Sequence, residues 1–290
     1  MTDAIQRIRR FNRAVTSAVG ALDASFLGRG RPLGPARVIN AIGRGRSDVA
    51  MLREYLGLET SLMSRLLRGL EDEGLIETAS NVHDARRRVV RLTKAGKSEF
   101  RAYEALSNAQ AKAILASHTR PEDLLAAMDL VASVLGRERI AIEEADPRGD
   151  IARYCLDAYY AELSRRFEQG FEVSLSRNPA AEQMIRPRGA FLVAMSDGMP
   201  IGCVGLKGVG DDVGEIKRLW VAPSARGVGL SRRLMESVED VALELSIKTL
   251  RLDTNRALHE AKQLYLKTGW KEIDRFNDDP YADSFFEKHL

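Results

Sequence analysis

The segment Arg226-Gly-Val-Gly-Leu-Ser231 constrains this chain more than any other. It follows an apolar run, Glu215-Ile-Lys-Arg-Leu-Trp-Val221, and a break at Pro223, and it leads into Arg232-Arg-Leu-Met235, the start of an amphipathic helix. Two glycines between a strand and a helix let the backbone adopt left-handed angles and approach a ligand closely. The first N–H groups of the new helix have no intrahelical acceptor, so they point at any anion placed there. A pyrophosphate meets that description. The glycines alone do not decide the matter, because a tight turn also needs glycine for steric reasons. What decides it is the order of the surroundings: an apolar strand, Pro223, the glycine turn and a helix, then a strand Thr249-Leu-Arg-Leu-Asp253, then Asn255, and finally Leu264-Tyr265 with Gly269-Trp270.

This ordered set resembles the acetyl-CoA-binding motif of the GNAT N-acetyltransferases, with Ser231 where that family has glycine or alanine. The resemblance implies acetyl-CoA as acyl donor. The amides of Arg226, Gly227, Val228, Gly229, Leu230 and Ser231 would hold its pyrophosphate, and backbone groups of Leu219 and Val221 its pantetheine. Asn255 would contact the cofactor arm, and Tyr265 would protonate the departing thiolate. The attacking amine must be neutral, because an ammonium has no lone pair, so a base is needed. Glu215 at the start of its strand resembles the carboxylate that some GNATs use as a base acting through water, or else is an ordinary surface residue. A backbone N–H near Leu219 or Trp220 would meet the oxyanion. Arg232 and Arg233 are either phosphate partners or solvated helix residues.

The chain has 290 residues, room for two domains each with its own core. Hydrophobic content of 44% and charged content of 29% fit a globular protein. No run of about eighteen apolar residues exists and no signal-like start, so a cytoplasmic protein without membrane contact is expected. Cys155 and Cys203 stand far apart, and His83, His118, His259 and His289 lack ligand spacing, so neither a disulfide framework nor a metal site is expected. Charge divides the chain. Residues 1–138 hold 22 Lys+Arg against 16 Asp+Glu, whereas residues 139–290 hold 22 against 25. The N-terminal part suits a polyanion and the C-terminal part does not.

In the basic part, Ile8, Phe11, Val15, Val19, Leu22 and Phe26 recur at helical spacing, which predicts one long amphipathic helix. Past the Gly28–Pro35 break and a helix from Ala36 to Ile42, residues 48–76 follow a helix–turn–helix pattern with Gly57 at the turn. On its second helix the spacing puts Leu62, Leu66 and Leu70 inward. Thr60, Ser61, Ser64, Arg65 and Arg68 then face outward, where hydroxyls and guanidiniums can meet phosphates and base edges in a major groove. A basic helix face can equally be a solvated one. The next segment favours nucleic acid: Leu75–Thr78 and Arg88–Leu92 are expected strands around a basic tip containing Arg86 and Arg87, suited to a narrow minor groove. Residues 38–100 resemble the MarR family of winged helix–turn–helix regulators, including Asp84-Ala85-Arg86 in the wing and Leu92-Thr93-Lys94-Ala95-Gly96 after it. The resemblance implies double-stranded DNA as a partner. It also implies a homodimer built from the first helix and from helices at Glu99–Ser117 and Pro121–Leu135.

A helix around Ile151–Phe167, a loop at Gly170–Arg188 and strands at Arg139–Glu144, Ala190–Met195, Ile201–Val209 and Glu215–Val221 complete the pattern. The expectation is an α-rich winged helix–turn–helix domain over residues 1–138, followed by an α+β GNAT domain over 139–290 with a mixed, mostly antiparallel sheet. The tail Asn277-Asp-Asp-Pro-Tyr-Ala-Asp283 offers the carboxylates of Asp278, Asp279 and Asp283 to an ammonium, with Tyr281 as an aromatic wall, or else is a plain turn. The leading function is a regulator combined with an N-acetyltransferase of small-molecule amines. The alternatives are a regulator whose second domain only senses acyl-CoA, and a protein-lysine acetyltransferase guided by DNA binding.

Overall fold

The computed structural model describes residues 2–80, 87–175, 181–210 and 212–290. They form two compact units, 1–121 and 122–290.

In the first unit α1 (Thr2–Ala18) ends earlier than its apolar spacing predicts. The chain leaves the helix at Gly20, φ 64°, so Leu22 and Phe26 lie beyond it. The stripe Ile5, Ile8, Phe11 and Val15 is exposed. Then come α2 (Leu33–Gly43), α3 (Val49–Leu56) and α4 (Thr60–Asp72). Asp48 caps α3 by accepting from the N–H groups of Ala50 and Met51, and Gly57 closes it at φ 65°, the left-handed angle expected of that turn. The inward face of α4 is Met63, Leu67 and Leu70 rather than Leu62, Leu66 and Leu70. Leu62 is exposed and Leu66 half-buried. Methionine at 63 completes a 4-then-3 spacing that a search for leucines alone overlooks. These side chains pack with Val38, Ile39, Leu52, Ile76 and Val90 in one core. Strands β1 (Ile76–Ser80) and β2 (Arg88–Leu92) pair antiparallel with Ile76 opposite Leu92. The wing tip 81–86, with Arg86, lies outside the described residues. Thr93 caps α5 (Lys94–Ala116), which begins five residues before the expected start.

In the second unit α6 (Pro121–Leu135) precedes a seven-stranded sheet. Its strands are β3 (Ala141–Glu144), β4 (Gly189–Ser196), β5 (Met199–Gly208), β6 (Val213–Val221), β7 (Thr249–Thr254), β8 (Lys271–Ile273) and β9 (Ser284–His289), in the spatial order β3-β4-β5-β6-β7-β9-β8. Among the described strands only β6 and β7 run parallel to each other. Helices α7 (Asp150–Arg166), α8 (Leu230–Glu244) and α9 (His259–Lys267) pack on it. Leu230, Leu234, Met235 and Val238 of α8 meet Val204, Leu206, Leu250 and Leu252 in one core, and α7 covers Phe191, Val193 and Cys203 in another. Parallel neighbours need a crossover, and α8 supplies it between β6 and β7. No described helix is long and apolar enough to cross a membrane.

Candidate active site

Strands β6 and β7 pair only at Val213–Thr249, Gly214–Leu250 and Glu215–Arg251, then part. Beyond Glu215 the β7 side of β6 has no ladder partner, although β6 runs on to Val221 and stays paired with β5. The register of that second pairing slips between Cys203 and Gly205, leaving Arg218 and Leu219 opposite Val204. This is a bulge, and Arg218 sits in it at φ 58°. The splay opens a cleft with two cavities that share Tyr159, Leu163, Leu219, Leu258 and Ala261 in their walls.

The larger, about 400 Å³, is lined by Leu219, Trp220, Val221, Arg226, Gly227, Gly229, Leu230, Ser231, Ala261 and Leu264 among others. Gly227 and Gly229 hold φ of 80° and 82°, which a side chain would strain, and the space above both is open for 4 Å. Val228 and Leu230 point instead into the core and anchor the turn. No side chain caps α8, so its first N–H groups are left for an external acceptor. Open space over two glycines, an uncapped helix start and an unpaired strand edge fit an extended ligand ending in phosphates.

Some side chains expected at this ligand are committed elsewhere. Arg226 donates through Nη2 to Glu162 Oε2 at 2.6 Å and through Nε to the Val221 carbonyl at 3.2 Å, so its guanidinium ties the turn to α7. Glu162 also accepts from Trp220 Nε1 at 3.1 Å and from Arg166 Nη1 at 3.2 Å. Sequence reasoning missed Glu162, since a polar residue inside a helix gives no sign of the two donors, Trp220 and Arg226, that arrive from β6 and the turn after it. Arg232 pairs with Glu236 at 2.8 Å, and Arg233 donates to the Ile140 carbonyl at 2.7 Å. Asn255 lines the smaller cavity. Its Nδ2 donates to the Tyr281 carbonyl at 2.6 Å and its Oδ1 accepts from the Ala257 N–H at 2.8 Å, so it holds the loop.

The smaller cavity, about 90 Å³, brings together Tyr159, Phe171, Lys217, Arg218, Asp253, Asp279, Tyr281 and Tyr265. Tyr265 is buried against Trp270 and Phe286, and no described group hydrogen-bonds its hydroxyl. Burial, and then the Asp253 charge, push its pKa far above the ordinary phenol value, so the proton stays on the oxygen across the physiological range. Tyr281 packs at a tilt against Phe171, 4.8 Å between ring centroids, and accepts the Glu172 N–H at 3.0 Å. Of the tail carboxylates only Asp279 lines the cavity. Asp278 is exposed and Asp283 pairs with Arg256 at 2.8 Å. Glu215 lines neither cavity. It stands where the strands are still paired, with Lys217 Nζ at 3.7 Å and Lys207 Nζ at 3.9 Å. The strand carboxylate that does face the cavity is Asp253, which sequence reasoning passed over as an ordinary strand end.

In the first unit Thr60, Ser61, Arg65 and Arg68 are exposed on α4, as the helical spacing predicts, whereas Ser64, expected outward, is half-buried. Arg53 donates to Thr60 Oγ1 at 2.6 Å, and Arg87 lies 3.9 Å from the Asp48 carboxylate. Arg53, Thr60, Ser64, Arg87 and Arg88 rim one concavity of about 260 Å³.

Residues 156–270 match the Acetyltransferase (GNAT) family, and residues 30–87 match the MarR family. An IAA acetyltransferase of Azospirillum brasilense is 31% identical over 154 residues, covering 51% of this chain and 88% of that protein. An uncharacterised N-acetyltransferase of Mycobacterium bovis is 33% identical over 101 residues, covering 34% of this chain and 64% of its own length. The crystal structure of a GNAT-family acetyltransferase from Staphylococcus aureus Mu50 is 18% identical with a TM-score of 0.46, covering 52% of this chain and 99% of that one.

Proposed function

The chain belongs to the GNAT family of acetyltransferases and carries a MarR-family region ahead of that domain; from that premise we propose a DNA-binding regulator that also transfers acetyl from acetyl-CoA to a small-molecule amine. The functional division is placed after α6, between residues 138 and 139, although the compact units part before that helix, at 121/122. One observation supports catalysis over mere acyl-CoA sensing: Tyr265, a buried phenol without a hydrogen bond from the described residues, lines a cavity sized for a small acceptor.

The donor, when bound, supplies a thioester carbonyl open to attack. The uncapped first turn of α8 with the backbone from Arg226 to Ser231 holds the phosphates, and Arg226 acts through its backbone. The unpaired edge of β6 at Leu219 and Val221 receives the extended arm, and the bulge at Arg218 turns backbone N–H groups toward the reacting carbonyl. Tyr265 gives its proton to the departing sulfur, and Tyr281 walls the acceptor.

For the first unit we propose that Thr60, Ser61, Ser64, Arg65 and Arg68 enter a major groove while Arg86 and Arg87 reach the adjacent minor groove. The exposed stripe of α1 is the homodimer face, because an apolar stripe on a helix needs burial. A mass-spectrometric screen of amines with acetyl-CoA tests the enzymatic reading. Once an acceptor is found, Tyr265→Phe lowers kcat about a hundredfold and leaves acetyl-CoA affinity in place. Unchanged turnover removes Tyr265 from the reaction.

A further inference from the structure

Resting on the acetyltransferase reading, we infer that Asp253 receives the acceptor's ammonium and takes its proton, and that the acceptor is a compact primary amine with an apolar or aromatic tail. Three observations carry this. Asp253, at the mouth end of β7, shares the small cavity with Tyr265, so one pocket holds both a carboxylate and a phenol. Its donors arrive on a single oxygen: Oδ2 accepts from Lys217 Nζ and from Asn277 Nδ2 at 2.7 Å, and no described group hydrogen-bonds Oδ1. The cavity wall beyond it is aromatic, with Phe167, Phe171 and Tyr281 packed at centroid distances of 4.8 to 5.9 Å.

The charged and titratable groups that share the cavity with Asp253 are Lys217 and Arg218 on β6, Tyr159 on α7, Tyr265 on α9, and Asp279 and Tyr281 on the loop before β9, where Asn277 also donates to Asp253. Lys217 fixes the carboxylate in place and is itself held between Asp253 and Glu215. An ammonium entering the pocket therefore finds one carboxylate oxygen open, with aromatic faces beside it that favour a cation. Tyr265 and Asp253 sit close enough that the carboxylate charge contributes to holding the phenol's proton.

The step balances. The ammonium N–H bond breaks and its proton passes to Asp253 Oδ1. The nitrogen lone pair forms the new C–N bond and the C–S bond breaks. The sulfur takes the Tyr265 proton, and the nitrogen, now carrying two hydrogens and a positive charge, gives one of them to the phenolate. Asp253 releases its proton to solvent, so the products are the amide, the free thiol and one proton, with no other reactant.

The test uses the full chain with acetyl-CoA and a set of probe amines: 2-phenylethylamine, tryptamine and butylamine, with 2-phenylethanol as the amine-free control. Thiol release and calorimetric binding are followed for wild type, Asp253→Asn and Glu215→Gln. Asp253→Asn is expected to lose about a hundredfold in kcat/KM, a loss that shrinks about tenfold per pH unit as the amine itself becomes neutral in solution. Amine binding to the acetyl-CoA complex falls at least about tenfold in that variant and by clearly less in Glu215→Gln, which reaches Asp253 only through Lys217, so the comparison stands even for an amine that binds without turnover. Unchanged acetyl-CoA binding shows that Asp253→Asn is folded, and Asp253→Glu is the fallback should it not be. Three results overturn the assignment: wild-type kinetics and amine binding in Asp253→Asn, a loss confined to Glu215→Gln, or wild-type protein that binds acetyl-CoA but neither binds nor acetylates a primary amine. Wild-type protein that binds no acetyl-CoA overturns instead the acetyltransferase reading beneath it.

Discussion

Replacing Glu162 by glutamine tests how the turn that precedes α8 is held. The carboxylate receives Trp220 Nε1, Arg226 Nη2 and Arg166 Nη1, and its side chain is only 12% exposed. Breaking a buried ion pair by removing one partner costs about 3–5 kcal/mol. Here the two guanidiniums are 43% and 25% exposed, so water recovers much of that loss, as it does at surface pairs. The Trp220 indole, in a residue 6% exposed, has no such recourse, and an unpaired buried donor costs about 1–3 kcal/mol. Glutamine keeps one carbonyl acceptor but adds a donor among donors. The net is about 2 kcal/mol, which for a unit of this size is a fall in Tm of about 4–8 °C. Arg226 is then free of α7 and the turn loosens, so KM for acetyl-CoA rises several-fold while kcat changes little. Thermal unfolding followed by tryptophan emission, together with steady-state kinetics, measures both. A Tm within about 1 °C of wild type and an unchanged KM would refute the view that this carboxylate braces the phosphate turn.

Two further outcomes follow from the same geometry. Gly229→Val strains a backbone held at φ 82° and fills the open space above it, so acetyl-CoA affinity should fall at least about tenfold by calorimetry; equal binding would move the phosphate site elsewhere. Arg65→Ala and Arg68→Ala should each weaken DNA binding, and a loss at a phosphate-contacting arginine should reduce the slope of log affinity against log salt by about one; slopes and affinities equal to wild type for both would take α4 off the DNA.

The elements of the second unit were legible because their signals are local. Apolar runs bounded by glycine or proline gave β4, β5 and β6 to within about two residues, and Pro121 with Glu122 and Asp123 marked the start of α6. The glycines of the phosphate turn were legible for the same reason, since positive φ and glycine go together. Side-chain partners were not. Arg226 and Asn255 stand in the expected order, yet their hydrogen bonds go to Glu162 and to the Tyr281 carbonyl, which are 64 and 26 residues away in sequence. Asp253 looks like any polar strand end until β6 parts from β7 and leaves it facing a cavity. The end of α1 was misjudged because the apolar spacing runs past Gly20, where the backbone turns left-handed and the helix cannot follow.

The parting of β6 from β7 has a consequence for folding hygiene as well as for binding. By position β6 is the middle strand of seven, but over its second half it carries an open hydrogen-bonding rim, the kind that elsewhere recruits stray chains into intermolecular sheets. Strands at a sheet border guard such rims with lysines, prolines or bulges. This one has its bulge at Arg218 and a proline, Pro223, just past its end, so the devices that shape the cleft also blunt its capacity to seed aggregation.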